Sequence, residues 1–145
     1  MNQIVKVCST ANFEASLKEL SSANLVVLMA PSAVFKQCAE KMNDIIPDVP
    51  SIGVCGQGYY QLNDHPEDII VVGFSGCQAI VDVIPEVSKP ILSVQKLMDN
   101  VKNIQGNANN TVCLDFTTGN DSVIVTTFNA CLNEKGISLI GATAW

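Results

Sequence analysis

Two stretches of this 145-residue chain follow one plan, and that repetition limits what it can fold into more than any single motif does. Asn24–Gly53 and Asn110–Gly141 each open on Asn and an apolar run, Asn-Leu-Val-Val-Leu-Met in the first and Asn-Thr-Val-Cys-Leu-Asp in the second. Each passes through a small-residue loop (Ala30-Pro31-Ser32; Thr117 to Asp121) into an amphipathic segment carrying Cys38 or Cys131, and ends on a short apolar run that reaches Gly53 or Gly141. A strand, a helix of that length and a second strand make a crossover unit, and the two strands of such a unit lie parallel. Two of these units, with the further apolar runs Ile4–Cys8 and Asp68–Phe74, predict an α/β fold: a three-layer sandwich around a mostly parallel sheet built from βαβ units.

The remaining patterning fills in this plan. The uninterrupted run Asn24–Met29 fits a strand covered on both faces. Asn12 is placed to cap a helix whose Phe13, Leu17 and Leu20 share one face, and Val34, Cys38, Met42 and Ile45 make a second helical stripe that Pro47 and Pro50 end. Ser51–Cys55 reads as a strand. Ser93 is a candidate cap for a helix running to about Ile104, a further helix is expected from Ser122 to Glu134 with Gly136 closing it, and Ile137–Gly141 is the last strand. Gln78–Val87 suits a strand or a short helix, limited by Pro85 in both cases, and Tyr59–Glu67 is irregular around an Asp64-His65-Pro66 turn.

Charge and cysteine usage exclude several function classes. The net charge is −6 and all eight basic residues are lysines that nowhere cluster, so the chain lacks the basic face that nucleic acid or an anionic membrane surface requires. Charged residues make up 15% of the chain, against about 25% in an ordinary domain, which suggests that part of the surface is covered by a second domain or a dimer mate. No apolar stretch approaches the roughly 20 residues that span a bilayer, and Met1–Thr10 lacks the pattern of a signal peptide, so a cytoplasmic protein with free thiols is expected. The six cysteines never form Cys-x-x-Cys; Cys8, Cys38, Cys113 and Cys131 sit in apolar runs, where cysteine serves as a small buried hydrophobe.

In open parallel sheets ligands settle in the crevice beyond the carboxyl ends of the strands. That rule selects Ser9, Thr10, Ser32, Cys55, Gln57, Asp115, Thr117, Thr118 and Thr143, expected to border one shared hollow. Hydroxyls there can donate or accept, and the helix starts after Ser32 and Asp121 favour a ligand carboxylate. The plainer account is that these are turn and capping residues. Asp115 ends an apolar strand, where a carboxylate holds either a ligand ammonium group or neighbouring loop amides. Cys55 is a candidate nucleophile with His65 as the sole histidine to serve as its base, or else an inert thiol. His65 itself sits in a polar, turn-like segment that suits solvent exposure. Without a second histidine or a metal-spaced cluster, zinc is not expected. Gly53–Gly58 lacks the Lys-Ser/Thr that a phosphate loop needs.

Pro50-x-Ile52-Gly53-x-Cys55 with Gly58 after it, Val112-Cys113-Leu114-Asp115 leading through a helix to Ile140-Gly141-Ala142-Thr143-Ala144, and the opening Val7-Cys8-Ser9-Thr10 together resemble the signatures of the FIST N-terminal domain, in the same order and over most of the chain. The resemblance implies a single sensory input domain over residues 1–145, belonging to a longer signal-transduction protein of the chemoreceptor type. Its partners would be a small metabolite such as an amino acid and a C-terminal FIST half or signalling output domain. Haem enters by family resemblance alone, through members that sense nitric oxide. Gly56 and Gln57 depart from the Thr and small residue usual at that loop. The alternatives are a cysteine-dependent enzyme using Cys55 or Asp115, and a purely structural interaction domain that dimerises.

Overall fold

The computed structural model describes residues 1–56, 65–83, 90–118 and 122–144. Among them lie β1 (Asn2–Cys8), α1 (Phe13–Glu19), β2 (Leu25–Ala30), α2 (Ser32–Ile45), β3 (Ser51–Cys55), β4 (Ile69–Ser75), α3 (Pro90–Asn103), β5 (Val112–Thr118), α4 (Ser122–Asn133) and β6 (Ser138–Ala144). The fold is mixed α/β, and the chain divides into two compact units, Met1–Val81 and Asp82–Trp145.

The first unit carries a four-stranded sheet in the order β1-β4-β2-β3. β2 and β3 pair in parallel across α2, from Val26↔Ser51 to Ala30↔Cys55, as the sequence pattern requires. β4 lies antiparallel to both β1 and β2, so this sheet is mixed and not mostly parallel. The physical reason lies in the connection. A parallel return needs a crossover of a dozen or more residues, usually a helix, and nothing between Gly56 and Asp68 has helical periodicity. β4 therefore starts at the end where β3 finishes and runs back, inserted between β1 and β2.

The alternation of this sheet is explicit in its burial. Cys8, Val26, Leu28, Ala30, Ile69 and Val71 face one way and pack with Phe13, Leu17 and Leu20 of the α1 segment and with Cys38, Met42 and Ile46 of the α2 segment. The stripes expected from the sequence on α1 and α2 are the ones that are buried. Leu17 and Leu28 are fully buried, and each such side chain is worth roughly 1.5–3 kcal/mol relative to exposure. On the opposite face Val27, Ile70, Val72 and Val54 are buried too, as the unbroken apolar runs of β2 and β4 anticipate. Asn12 occupies the N-cap position of α1, but its side chain makes no capping hydrogen bond.

The second unit is the other crossover: β5 and β6 pair in parallel from Val112↔Ser138 to Thr118↔Ala144, joined by α4. They form a sheet of their own, separate from the first. Cys113 and Leu139 pack on one face against Val101 and Leu97 of α3, Leu132 of α4 and Ile137. Gly136 takes a left-handed φ of 66° after α4, and Ile137 N–H returns to the Leu132 carbonyl at 3.1 Å, the closure expected of a glycine there. α3 begins at Pro90 and not at Ser93, because proline is at home in a first helical turn, where its missing N–H has no partner to lose. Residues 78–83 form neither the strand nor the helix entertained for them, and residues 84–87 of that stretch lie outside the described residues. Asp82 and Val83 are clipped to α3: Lys96 pairs with the Asp82 carboxylate, and Asn100 Nδ2 donates to it at 2.9 Å.

Candidate functional site

Strand directions decide where the predicted residues stand. Because β4 is antiparallel to both of its neighbours and β3 is parallel to β2, strands β1, β2 and β3 all run the same way. Their carboxyl ends therefore share one rim of the first sheet. The register aligns Cys8 with Ile69, and Ala30 with Cys55, along that rim. Beyond it come Ser9 and Thr10 after β1, Pro31 and Ser32 after β2, and Gly56 after β3, with Asp68 entering β4 between them. Ser9, Thr10 and Ser32 are exposed and Cys55 is half-buried. The rim is tied together through its backbone: Gly56 N–H donates to Ala30 O at 3.0 Å, and Asn12 N–H to Ser9 O at 3.1 Å. Gln57 lies outside the described residues.

The remaining predicted residues gather at the carboxyl end of β5 and β6. Asp115, Thr117 and Thr118 follow one another on β5, with register partners Gly141, Thr143 and Ala144. Side chains alternate along a strand, so Asp115 and Thr117 share the face on which Cys113 packs against the helical core. Asp115 is half-buried. Burial pushes its carboxyl above the ordinary aspartate value, since a carboxylate removed from water without a compensating charge prefers its neutral form. Burial, followed by the charge of Asp115, also pushes the Cys113 thiol up. The glycine opposite is part of the arrangement. A β-carbon at Gly141 would stand 3.5 Å from an Asp115 carboxylate oxygen and 3.3 Å from its carbonyl oxygen. The carboxylate thus leans over a position without a side chain.

The eight predicted residues that are described accordingly fall into two sets, one along the shared rim of β1, β2 and β3 and the other at the carboxyl ends of β5 and β6. Sequence reasoning did not single out Gly141 as the partner of Asp115. The overlay of the two units could not have found it: Gly53 stands opposite Leu28 in the first pair, which would set Gly141 opposite Leu114, one residue short of Asp115.

The other candidates have plainer surroundings. His65 is exposed, with its Nδ1 3.8 Å from Glu67 Oε1 in a turn. All six cysteines are free thiols. Cys8 and Cys38 are buried in the core, and burial raises both thiols. Among the described residues, no group of three or more His, Cys, Asp or Glu side chains could hold a metal ion, and no helix is long and apolar enough to cross a membrane. A shallow groove of about 450 Å³ between α3 and α4 is lined by Val94, Met98, Thr126, Ala130, Cys131 and Glu134, none of them a predicted site residue.

No protein-family model matches this chain, and neither a curated protein nor a solved structure does.

Proposed function

We propose that this chain is a small-molecule-binding sensory input domain of the FIST type, with an amino acid or a related small amine-bearing metabolite as its ligand. The observation that carries the proposal is the half-buried carboxylate of Asp115, raised in pKa by burial and leaning over Gly141 at the carboxyl end of a parallel strand pair. A ligand ammonium group would offset the cost of that burial, because an opposite charge at close range restores the charged form. Thr117, one step further along the same face, supplies a hydroxyl. The start of α4 at Ser122 supplies backbone N–H groups of the kind that favour a ligand carboxylate.

Ligand binding of this sort would shift a conformational equilibrium that an attached cytoplasmic output region reads. The β5–β6 pair suits the role, since a sheet of two strands has little stability of its own. In the first unit, apolar residues buried on the face away from α1 and α2 support a three-layer arrangement around that sheet.

A thermal-shift panel of amino acids and small amines on the wild-type protein and on Asp115→Asn tests the proposal. A true ligand at 100 times its dissociation constant adds about 2.7 kcal/mol of stability. The shift should shrink in Asp115→Asn, with affinity falling about tenfold or more, since a charge-assisted hydrogen bond is lost. A panel without hits, or equal shifts in both proteins, would contradict it.

A further inference from the structure

We infer that β1 is the contact through which two copies of this chain associate, pairing antiparallel about a two-fold axis at Val5. Among the described residues β1 stands at the end of the first sheet's strand order, hydrogen-bonded on one side to β4. A strand in that position turns a row of N–H and C=O groups outward, which is a template for another strand. Native edges are usually blunted by shortness, proline, a bulge or a projecting charge. β1 has seven residues, no proline and an unbroken register with β4 from Asn2↔Ser75 to Cys8↔Ile69. Its one charged residue, Lys6, lies on the sheet face that α1 covers, beside Glu19 at the end of that helix, and does not project across the edge. Ile4 and Val7 remain 47% and 45% exposed.

The sequence of the strand chooses the occupant. Val5 is the midpoint of Asn2–Cys8, so antiparallel pairing about Val5 engages all seven residues of both copies. Ile4 then stands opposite the partner copy's Lys6, and Gln3 opposite its Val7. Each exposed apolar side chain gains cover from an aliphatic stem or a side-chain amide. No like charges face each other, whereas a register centred on Lys6 would oppose two lysines. The strand itself holds no carboxylate, so copies of a chain with net charge −6 approach along this edge without opposing acids. The contact is isologous, so it closes at two copies and does not propagate.

The experiment is sedimentation velocity on the full chain over a wide concentration range, with amide exchange of β1 read at the two ends of that range. The wild type should pass from monomer to dimer, with the β1 amides gaining protection as it does so. Ile4→Lys places lysines opposite each other at two symmetric positions and should weaken the dimer about tenfold or more, whereas Ile4→Glu places a carboxylate opposite Lys6 and should retain it. Position 4 is about half exposed, so both variants should keep the wild-type circular dichroism. A monomer at every concentration, a dimer whose β1 amides stay unprotected, or equal weakening by both substitutions would overturn the inference.

Discussion

The two units build the same strand–helix–strand motif and differ in what surrounds it. In the first unit the parallel pair β2–β3 is embedded in a four-stranded sheet with apolar residues buried on both faces. In the second, β5–β6 stand as a pair among the described residues. One face packs on a small core of Val101, Leu132 and Ile137, while Val112, Leu114 and Ile140 on the other are exposed. A parallel pair is normally buried on both sides, so the second unit is expected to be the less stable of the two, with the first as its scaffold. The contrast teaches that a motif repeated in sequence need not be repeated in its packing, and under the proposed function the more thinly packed copy is the one a ligand would control.

The largest expected effect lies in the scaffold. Leu28→Ala removes a fully buried side chain from the centre of the first sheet and should cost roughly 2–5 kcal/mol in chemical denaturation. A loss below about 1 kcal/mol would mean that the first core is not close-packed. Next comes Gly136→Ala. It forces a side chain into a left-handed φ and brings its β-carbon within 2.9 Å of Ala108 Cβ. The cost should be roughly 1–2 kcal/mol, read in the melting of the second unit, and exchange rates in β2 and β4 should stay unchanged if the units differ as described.

Asp115→Asn sharpens the comparison in the opposite direction. The folded-state carboxyl titrates above its unfolded value because of burial. Between the two values the folded state holds the proton that the unfolded state has lost, so stability falls as pH rises through that window and the full cost is present above it. The asparagine variant should therefore melt higher than the wild type at neutral pH. The gap should close in acid, below the ordinary aspartate value of about 3.9. A variant less stable at neutral pH would show that the carboxylate is held by a partner. The smallest effect belongs to the surface. Lys96→Gln breaks the pair with Asp82 and should cost no more than about 1 kcal/mol, with salt masking most of it.

Much of this fold is legible in the chain because it is written in local periods. The helical stripes of Phe13, Leu17 and Leu20, and of Val34, Cys38 and Met42, bury as their spacing requires. Both crossover pairs form between the segments that the overlay selects. The position of β4 was not legible. Its apolar run reports burial on both faces, but strand neighbours are chosen by pairing across the sheet, which leaves no local trace. The exposure of Val112 and Leu114 was not legible for a related reason, since whether the second face of β5 is covered depends on what lies beyond the strand. For the candidate site, the strand-end rule gathered Ser9, Ser32 and Cys55 on one rim and Asp115 with Thr117 on another. It could not foresee that the two sets belong to separate sheets, since sheet membership is again a non-local property.

Native-state hydrogen exchange, with and without an amine-bearing ligand found in the thermal-shift panel, tests the contrast between the units most directly. Amides of β2 and β4 should exchange only through global unfolding, and those of β5 and β6 markedly faster, slowing when ligand is added to the wild type but not to Asp115→Asn. Equal protection of β2 and β5 in the free protein, or ligand-induced slowing confined to the first sheet, would contradict the assignment of scaffold and responsive unit.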